Sequence, residues 1–228
     1  MNARVLVVDD EEPVHRFLRP ALIASGYDVL TAVTGQQALQ IASTAAPDTI
    51  LLDLGLPDFD GKLIIAEVRH FSLTPIIVLS ARDSEEEKIA AFEMGANDYI
   101  QKPFGIGELL ARIRAALRRR ENGGKTLTRF EVGGYVVDLA RRSVLGCGVS
   151  LHLTPKEFLL LSILAANSGR IVTNRQILAA VWGPKQREDK QILRVLVGQL
   201  RAKLGEDAAN PKFIVTEPGV GYRLRFDD

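Results

Sequence analysis

Cysteine is nearly missing from this chain: Cys147 is the single one among 228 residues. One thiol excludes an intramolecular disulfide and any cysteine-based zinc site, and makes a reducing compartment the simplest setting. Its plain role is that of a small apolar filler. Long hydrophobic runs are missing too. The most apolar stretch, FLLLSILAA, is far too short to cross a bilayer, and the opening MNARVLVVDDEE has no apolar leader core. A soluble, cytoplasmic protein with no membrane partner is expected. Net charge is also scarce, at +1, but this near-neutrality hides a division. Residues 1–121 carry 13 basic and 18 acidic side chains, net −5, whereas residues 122–228 carry 16 and 10, net +6. An acidic half joined to a basic half suggests that the basic one meets a polyanion.

What is present reads as two domains, which the length comfortably allows. In the first half, β-branched or apolar runs at 4–8, 27–32, 49–53, 74–80 and 97–102 alternate with amphipathic segments near 13–25, 35–44, 61–70, 85–94 and 106–120. Val14, Phe17, Leu18, Ala21 and Leu22 illustrate the helical spacing. Strict alternation of five strands with helices implies an α/β fold, a doubly wound five-stranded parallel sheet. The site of such a sheet lies beyond the carboxyl ends of its strands, where strand order reverses.

Polar groups stand at four of the five strand ends: Asp9 and Asp10, Asp53, Ser80, and Lys102. Each alone has an ordinary reading, as a turn, a helix cap or a solvated charge. Together they are hard to assign to chance. Carboxylates converging at one sheet edge repel unless protonated or bridged by a cation, and a set of oxygens without histidine or cysteine suits Mg²⁺. Lys102 could hold a phosphoryl oxygen, and a carboxylate so placed can act as a nucleophile toward phosphorus.

These residues carry a resemblance. VLVVDDE, LLDLGLPDFDG, VLSAR and YIQKPF are similar to the receiver domain (flavodoxin/CheY-like) of bacterial two-component response regulators, over residues 3–120. The resemblance implies that Asp53 is the phosphorylation site. It also implies that Asp10 is a direct Mg²⁺ ligand, that Asp9 acts through water, and that the Gly55 carbonyl completes the set. Lys102 becomes the phosphate-pairing lysine, preceding a cis peptide to Pro103, and Ser80 and Tyr99 become the switch pair. Phosphorylation adds charge and acceptor oxygens, drawing the Ser80 hydroxyl over and leaving space that Tyr99 fills. The family pairs two receivers through the fourth helix, fifth strand and fifth helix. The matching residues are Ile89, Phe92 and Ala111 as an apolar patch, with Lys88, Glu108, Asp98, Arg112 and Arg119 as charged partners; Asn97 stands where an acidic partner for Arg119 is usual. An ordinary solvated surface is the alternative for these charges.

After ENGGKT, an obvious linker at 121–126, short strand-like runs suggest a small antiparallel sheet. LTPKEFLLLSILAANSG opens with Thr154 as N-cap, Pro155 at the first helical position and Glu157 completing a capping box. Thr173 starts a shorter helix ending at Gly183. A last helix, about 189–204, carries an apolar stripe of Leu193, Val197, Leu200 and Leu204, with Gln191, Arg194, Gly198, Gln199 and Arg201 opposite. Arg and Gln can read guanine and adenine in a major groove, and Gly198 permits close backbone approach, although a plain solvated face reads similarly. KFIVTEPGVGYRLRFDD ends the chain as a hairpin around PGVG.

LTPKEFLLL, GRIVTNRQIL, VWG, LRAKLGED and PGVGYR resemble the winged-helix effector domain of OmpR/PhoB-type regulators, over residues 127–226. The small α+β domain this implies binds double-stranded promoter DNA, with Lys203, Thr216, Lys212 and Arg223 as further DNA-contact candidates. A sensor histidine kinase, RNA polymerase and a second copy of the chain on phosphorylation are the implied partners. DLGLPD, KPFGIGEL, VWGP and LRVLVGQLRAKL are similar to a narrower branch that controls an operon for high-affinity potassium transport. Two other readings stay open: regulation of a different operon, and a Mg²⁺-dependent phosphatase working through an aspartyl phosphate. The second lacks its usual general acid, because Leu54 and Gly55 follow Asp53. A third reading, DNA binding with the receiver as a fixed pairing module, would leave the acidic set and Lys102 without a task.

Overall fold

A computed structural model describes residues 2–81, 84–121, 129–146, 149–183 and 189–225, with backbone alone at 119–121. Cys147, linker residues 122–126 and the side chain of Arg119 therefore lie outside the described residues. Contacts divide the chain into two compact units, Met1–Gly123 and Gly124–Asp228.

The first unit alternates strictly: β1 (Arg4–Val8), α1 (Glu12–Ala24), β2 (Asp28–Ala32), α2 (Gly35–Thr44), β3 (Thr49–Asp53), α3 (Gly61–Phe71), β4 (Ile76–Ser80), α4 (Glu85–Glu93), β5 (Asp98–Gln101) and α5 (Ile106–Glu121). The strands form one parallel sheet in the order β2-β1-β3-β4-β5, so the order reverses between β1 and β3. β3 and β4 are buried at every position, as expected of strands covered on both faces. Val5, Val7, Leu51, Ile77, Leu79 and Ile100 pack with Leu18 and Leu22 of α1 and Leu109 and Ile113 of α5. The alternate strand residues face the other side by the two-residue period. β4 starts at Ile76, later than the run from Thr74 suggested, because Pro75 has no N–H to give to a ladder.

One helical face differs from the sequence reading. The residues α1 buries are His15, Leu18 and Leu22, while Phe17 is 52% exposed. Val14, Leu18 and Leu22 face the core as expected, and Phe17 falls outside it because His15 takes the position on the other flank of the stripe.

The second unit opens with an antiparallel sheet, β6 (Arg129–Val132), β7 (Tyr135–Asp138), β8 (Ser143–Gly146) and β9 (Val149–Ser150). Then follow α6 (Pro155–Ala166), β10 (Val172–Thr173), α7 (Asn174–Trp182), α8 (Lys190–Lys203) and the hairpin of β11 (Ile214–Glu217) with β12 (Gly221–Leu224). Both expected caps are formed: Thr154 with Glu157, and Thr173 with Gln176, make reciprocal capping boxes. Asp189 caps α8 through Gln191 and Ile192 N–H. Leu160, Leu161 and Leu164 of α6, Ile177 and Leu178 of α7, and the expected stripe of α8 share one core with Ile214, Tyr222 and Leu224. A three-helix core with a terminal hairpin is a winged helix. Among the described residues, no helix is long and apolar enough to cross a membrane.

Candidate phosphoacceptor site and nucleic-acid interface

Asp9 follows β1 and Asp53 ends β3, at the two strands where the order reverses, so their carboxylates meet at the carboxyl edge of the sheet. Asp9 is fully buried and Asp53 is 7% exposed. Lys102, from the turn after β5, reaches both: its Nζ lies 2.8 Å from Asp9 Oδ2 and 3.1 Å from Asp53 Oδ1. Glu11 Oε1 is 3.5 Å away on the solvent side. The Lys102–Pro103 peptide is cis.

The backbone holds the rest. Asp9 Oδ1 accepts from the Glu11 N–H at 2.9 Å, and Asp53 Oδ2 accepts from the Gly55 N–H at 2.7 Å. Asp10 is exposed at the rim. Gly61, which starts α3, lets that helix sit against the end of β3: a Cβ there would stand 2.6 Å from the Asp53 carbonyl oxygen. Asp58 of the same loop accepts from the Gly35 and Gln36 N–H groups, tying the loop to the start of α2. Some desolvation opposes it, but these two donors hold the Asp58 carboxyl below its usual range.

Burial pushes the Asp9 carboxyl above its ordinary value; Lys102 and the Glu11 N–H oppose this in part, while Asp53 adds to it. Burial works against the Lys102 ammonium, yet Asp9 and Asp53 more than offset that and raise it. With two carboxylates facing one ammonium, the edge is short of positive charge even with the lysine in place. Asp9, Asp10, Asp53 and the Gly55 carbonyl offer hard oxygens and no nitrogen or sulfur, a donor set that fits Mg²⁺. Among the described residues no three such side chains already converge as a finished cation cage. Lys102 stands between two of them instead.

Ser80 ends β4 at 2% exposure, and its carbonyl accepts from the Lys102 N–H at 2.8 Å. Tyr99, on β5, is 8% exposed with Lys88 Nζ 5.8 Å from its ring centre. This contact links the expected aromatic switch to α4. On the expected pairing face, Arg112 binds Asp98 at 2.8 Å and Glu108 at 2.8 Å within the same chain. Ala111 is exposed and Ile89 half-buried. Phe92 corrects the sequence reading: at 4% exposure it is a core residue, not part of an open patch. Asn97 turns inward, accepting from the Ile76 N–H at 2.9 Å and from Arg69 at 2.7 Å.

On α8 the exposed residues are Lys190, Gln191, Arg194, Val195, Gly198, Gln199 and Ala202. Three expected contacts belong elsewhere. Arg201, 9% exposed, donates to the Ile214 carbonyl and to Thr216 Oγ1 and pairs with Glu206 at 3.8 Å. Arg223 is 5% exposed beside Glu217. Lys203 binds Glu157 Oε2 at 2.7 Å and the His152 carbonyl at 3.1 Å. Burial alone would raise the Glu157 carboxyl, but Lys203 and the Thr154 N–H keep it below its usual range. Arg201 of α8 and Arg223 of β12 are buried in the domain, whereas Lys203, still partly exposed, ties the end of α8 to α6. Thr216 is exposed, with its hydroxyl taken by Arg201; Lys212 is exposed.

His15 escaped the sequence reading. It is 7% exposed, and its Nε2 lies 2.7 Å from the Asp9 carbonyl oxygen. Its signal was legible as a polar residue three and seven positions before the buried Leu18 and Leu22.

Residues 5–114 match the response regulator receiver domain family, and residues 148–224 match the family described as transcriptional regulatory protein, C terminal. The KDP operon transcriptional regulatory protein KdpE of Escherichia coli (strain K12) is 48% identical over 220 residues, which is 96% of this chain and 98% of that protein. KdpE of Mycobacterium tuberculosis is 44% identical over 221 residues, at the same coverage of each. Among solved structures, the response regulator DrrB of Thermotoga maritima, described as an OmpR/PhoB homolog, is 30% identical over 98% of this chain and 99% of that one, with a TM-score of 0.52. A receiver fold with an acidic edge, a winged helix after it, and full-length likeness to such regulators place this chain among the OmpR/PhoB-type two-component response regulators.

Proposed function

We propose that Asp53 accepts a phosphoryl group from a sensor histidine kinase and that this turns on DNA binding by α8 at a potassium-transport operon. The observation that carries the reading is Lys102 held between Asp9 and Asp53 at the switch point of the sheet. A carboxylate oxygen of Asp53 attacks phosphorus, the bond from phosphorus to the kinase imidazole nitrogen breaks, and the Lys102 ammonium steadies the phosphoryl oxygens. Asp10, Asp53 and the Gly55 carbonyl, with Asp9 beside them, would hold Mg²⁺, which would supply neutralisation of the phosphoryl charge. Ser80 and Tyr99 relay the new charge toward α4 and β5.

Two receivers then pair through α4, β5 and α5, with Lys88, Glu108, Asp98 and Arg112 in ion pairs across the two-fold axis and Arg119 beside them with Asn97 in place of an acidic partner. Arg112 already binds Asp98 and Glu108 in one chain, so pairing exchanges existing contacts and adds little energy per bridge. Residues 1–120 act as receiver, 121–126 as linker and 127–228 as effector. Gln191, Arg194, Gly198 and Gln199 face the major groove, RNA polymerase is recruited at the promoter, and the protein works in the cytoplasm. Regulation, with at most slow self-dephosphorylation, is its task. The operon is taken from the Escherichia coli relative, whose name states regulation of the KDP operon, and the potassium transport from the resemblance carried by DLGLPD, KPFGIGEL, VWGP and LRVLVGQLRAKL.

The test is gel-shift affinity for the operator upstream of the potassium-transport genes, with and without acetyl phosphate and Mg²⁺. Phosphodonor should raise the affinity of the wild type and leave Asp53→Asn unchanged. A rise in Asp53→Asn equal to the wild type's would overturn the reading.

A further inference from the structure

His15 is a buried polar side chain with one partner and one bare atom. A carbonyl oxygen can only accept, so Nε2 carries the hydrogen and donates it to the Asp9 carbonyl at 2.7 Å. Nδ1 is buried without any partner. A buried nitrogen left unpaired works against folding, and an aliphatic side chain beside Leu18 and Leu22 would avoid that loss. The compensation lies in what Nε2 holds.

That carbonyl belongs to the peptide joining Asp9 to Asp10. Asp9 is otherwise fixed at its N–H, which donates to the Ala32 carbonyl at 3.1 Å, and at both carboxylate oxygens, which accept from Glu11 and Lys102. The carbonyl is the remaining handle. The orientation of its peptide plane sets where the Cα of Asp10, and so its exposed carboxylate, stands relative to Asp53. The contact rises from the first turns of α1, a rigid element, and acts on the turn between β1 and α1 that carries both acids.

We infer that His15 is a positioning residue for the cation site: its Nε2–H, by fixing the Asp9–Asp10 peptide plane, aims the Asp10 carboxylate at a divalent cation shared with Asp53. The inference rests on the Mg²⁺ reading above. It concerns aim alone, since His15 itself touches neither cation nor phosphate.

Glutamine and asparagine separate the bond from the bulk. A Gln Nε2 lies as many bonds from Cβ as His Nε2 does and can reach the Asp9 carbonyl, whereas the shorter Asn amide cannot. The experiment is calorimetric titration of the full-length chain with MgCl₂ alone, without phosphodonor, for the wild type, His15→Phe, His15→Asn and His15→Gln. His15→Phe and His15→Asn should bind Mg²⁺ about tenfold more weakly, the lower end of what losing an outer-shell partner costs. His15→Gln should stay within about twofold of the wild type. Should the Phe variant fail to fold, the Asn and Gln pair gives the same contrast. Absence of Mg²⁺ binding by the wild type would sink the metal reading itself. Wild-type binding with unchanged affinity in the Asn variant, or with Gln as weak as Asn, would overturn the role of His15.

Discussion

Arg194 and Arg201 lie about two turns apart on α8, nearly on the same side of the helix by its period. Sequence spacing cannot separate them, yet one is exposed and the other is sealed under β11. The two substitutions to alanine should therefore fail differently. Arg201→Ala removes the donor to the Ile214 carbonyl and Thr216 and a neighbour of Glu206, so it should cost the effector unit about 2 kcal/mol. Arg194→Ala should change stability by less than about 0.5 kcal/mol and weaken operator binding. Trp182, the single tryptophan, sits in this unit, so fluorescence during urea denaturation reads it selectively. Equal midpoints for both variants would return Arg201 to the DNA face. His15 makes the same point from the other half: a histidine's type and spacing show that it enters the core, but not that Asp9's carbonyl waits there.

At the scale of elements, local chemistry was the most legible part. Thr154 with Glu157 and Thr173 with Gln176 mark helix starts because their side chains satisfy N–H groups that any helix leaves unpaired, whatever surrounds it. The central strands β3 and β4 were legible because a sheet covered on both faces demands apolar runs there, whereas the edge strand β2 keeps Asp28 and Thr31 exposed. Faces were less so, since Phe17 and Phe92 traded places with expectation when packing decided between adjacent positions. Gly198 gives an element-scale prediction with two signs. It sits on the exposed face of α8, and a Cβ built there meets nothing within 4 Å. Gly198→Ala should raise the stability of the effector unit by about 0.5–1 kcal/mol through helix propensity, read by Trp182 fluorescence. The same methyl should lower operator affinity severalfold if backbone and groove are in close contact. Unimpaired binding in a stabilised variant would remove Gly198 from the interface.

At the scale of the molecule, the opposed charges of the halves, net −5 and net +6, acquire separate causes. The acidic half gathers carboxylates at a sheet edge around Lys102, and the basic half holds Arg201 and Arg223 inside while leaving Arg194 and Lys212 exposed. Operator affinity should fall steeply with salt, by about 10³ between 50 and 200 mM if six or more phosphates are contacted. A flat dependence, measured by fluorescence anisotropy, would contradict a basic groove surface. The sequence by itself determined the alternation of strands and helices, the capped starts, and the set of acids and lysine at the strand ends. These follow from periodicity, hydrogen-bond accounting and strand length, all local in the chain. Only the tertiary structure decided that Lys102 bridges Asp9 and Asp53, that Arg201 and Arg223 turn inward, that Lys203 pairs with Glu157, and that His15 holds the Asp9 carbonyl. Each of these depends on which distant segment covers a side chain, and burial converts the same residue type from a free charge into a bound one.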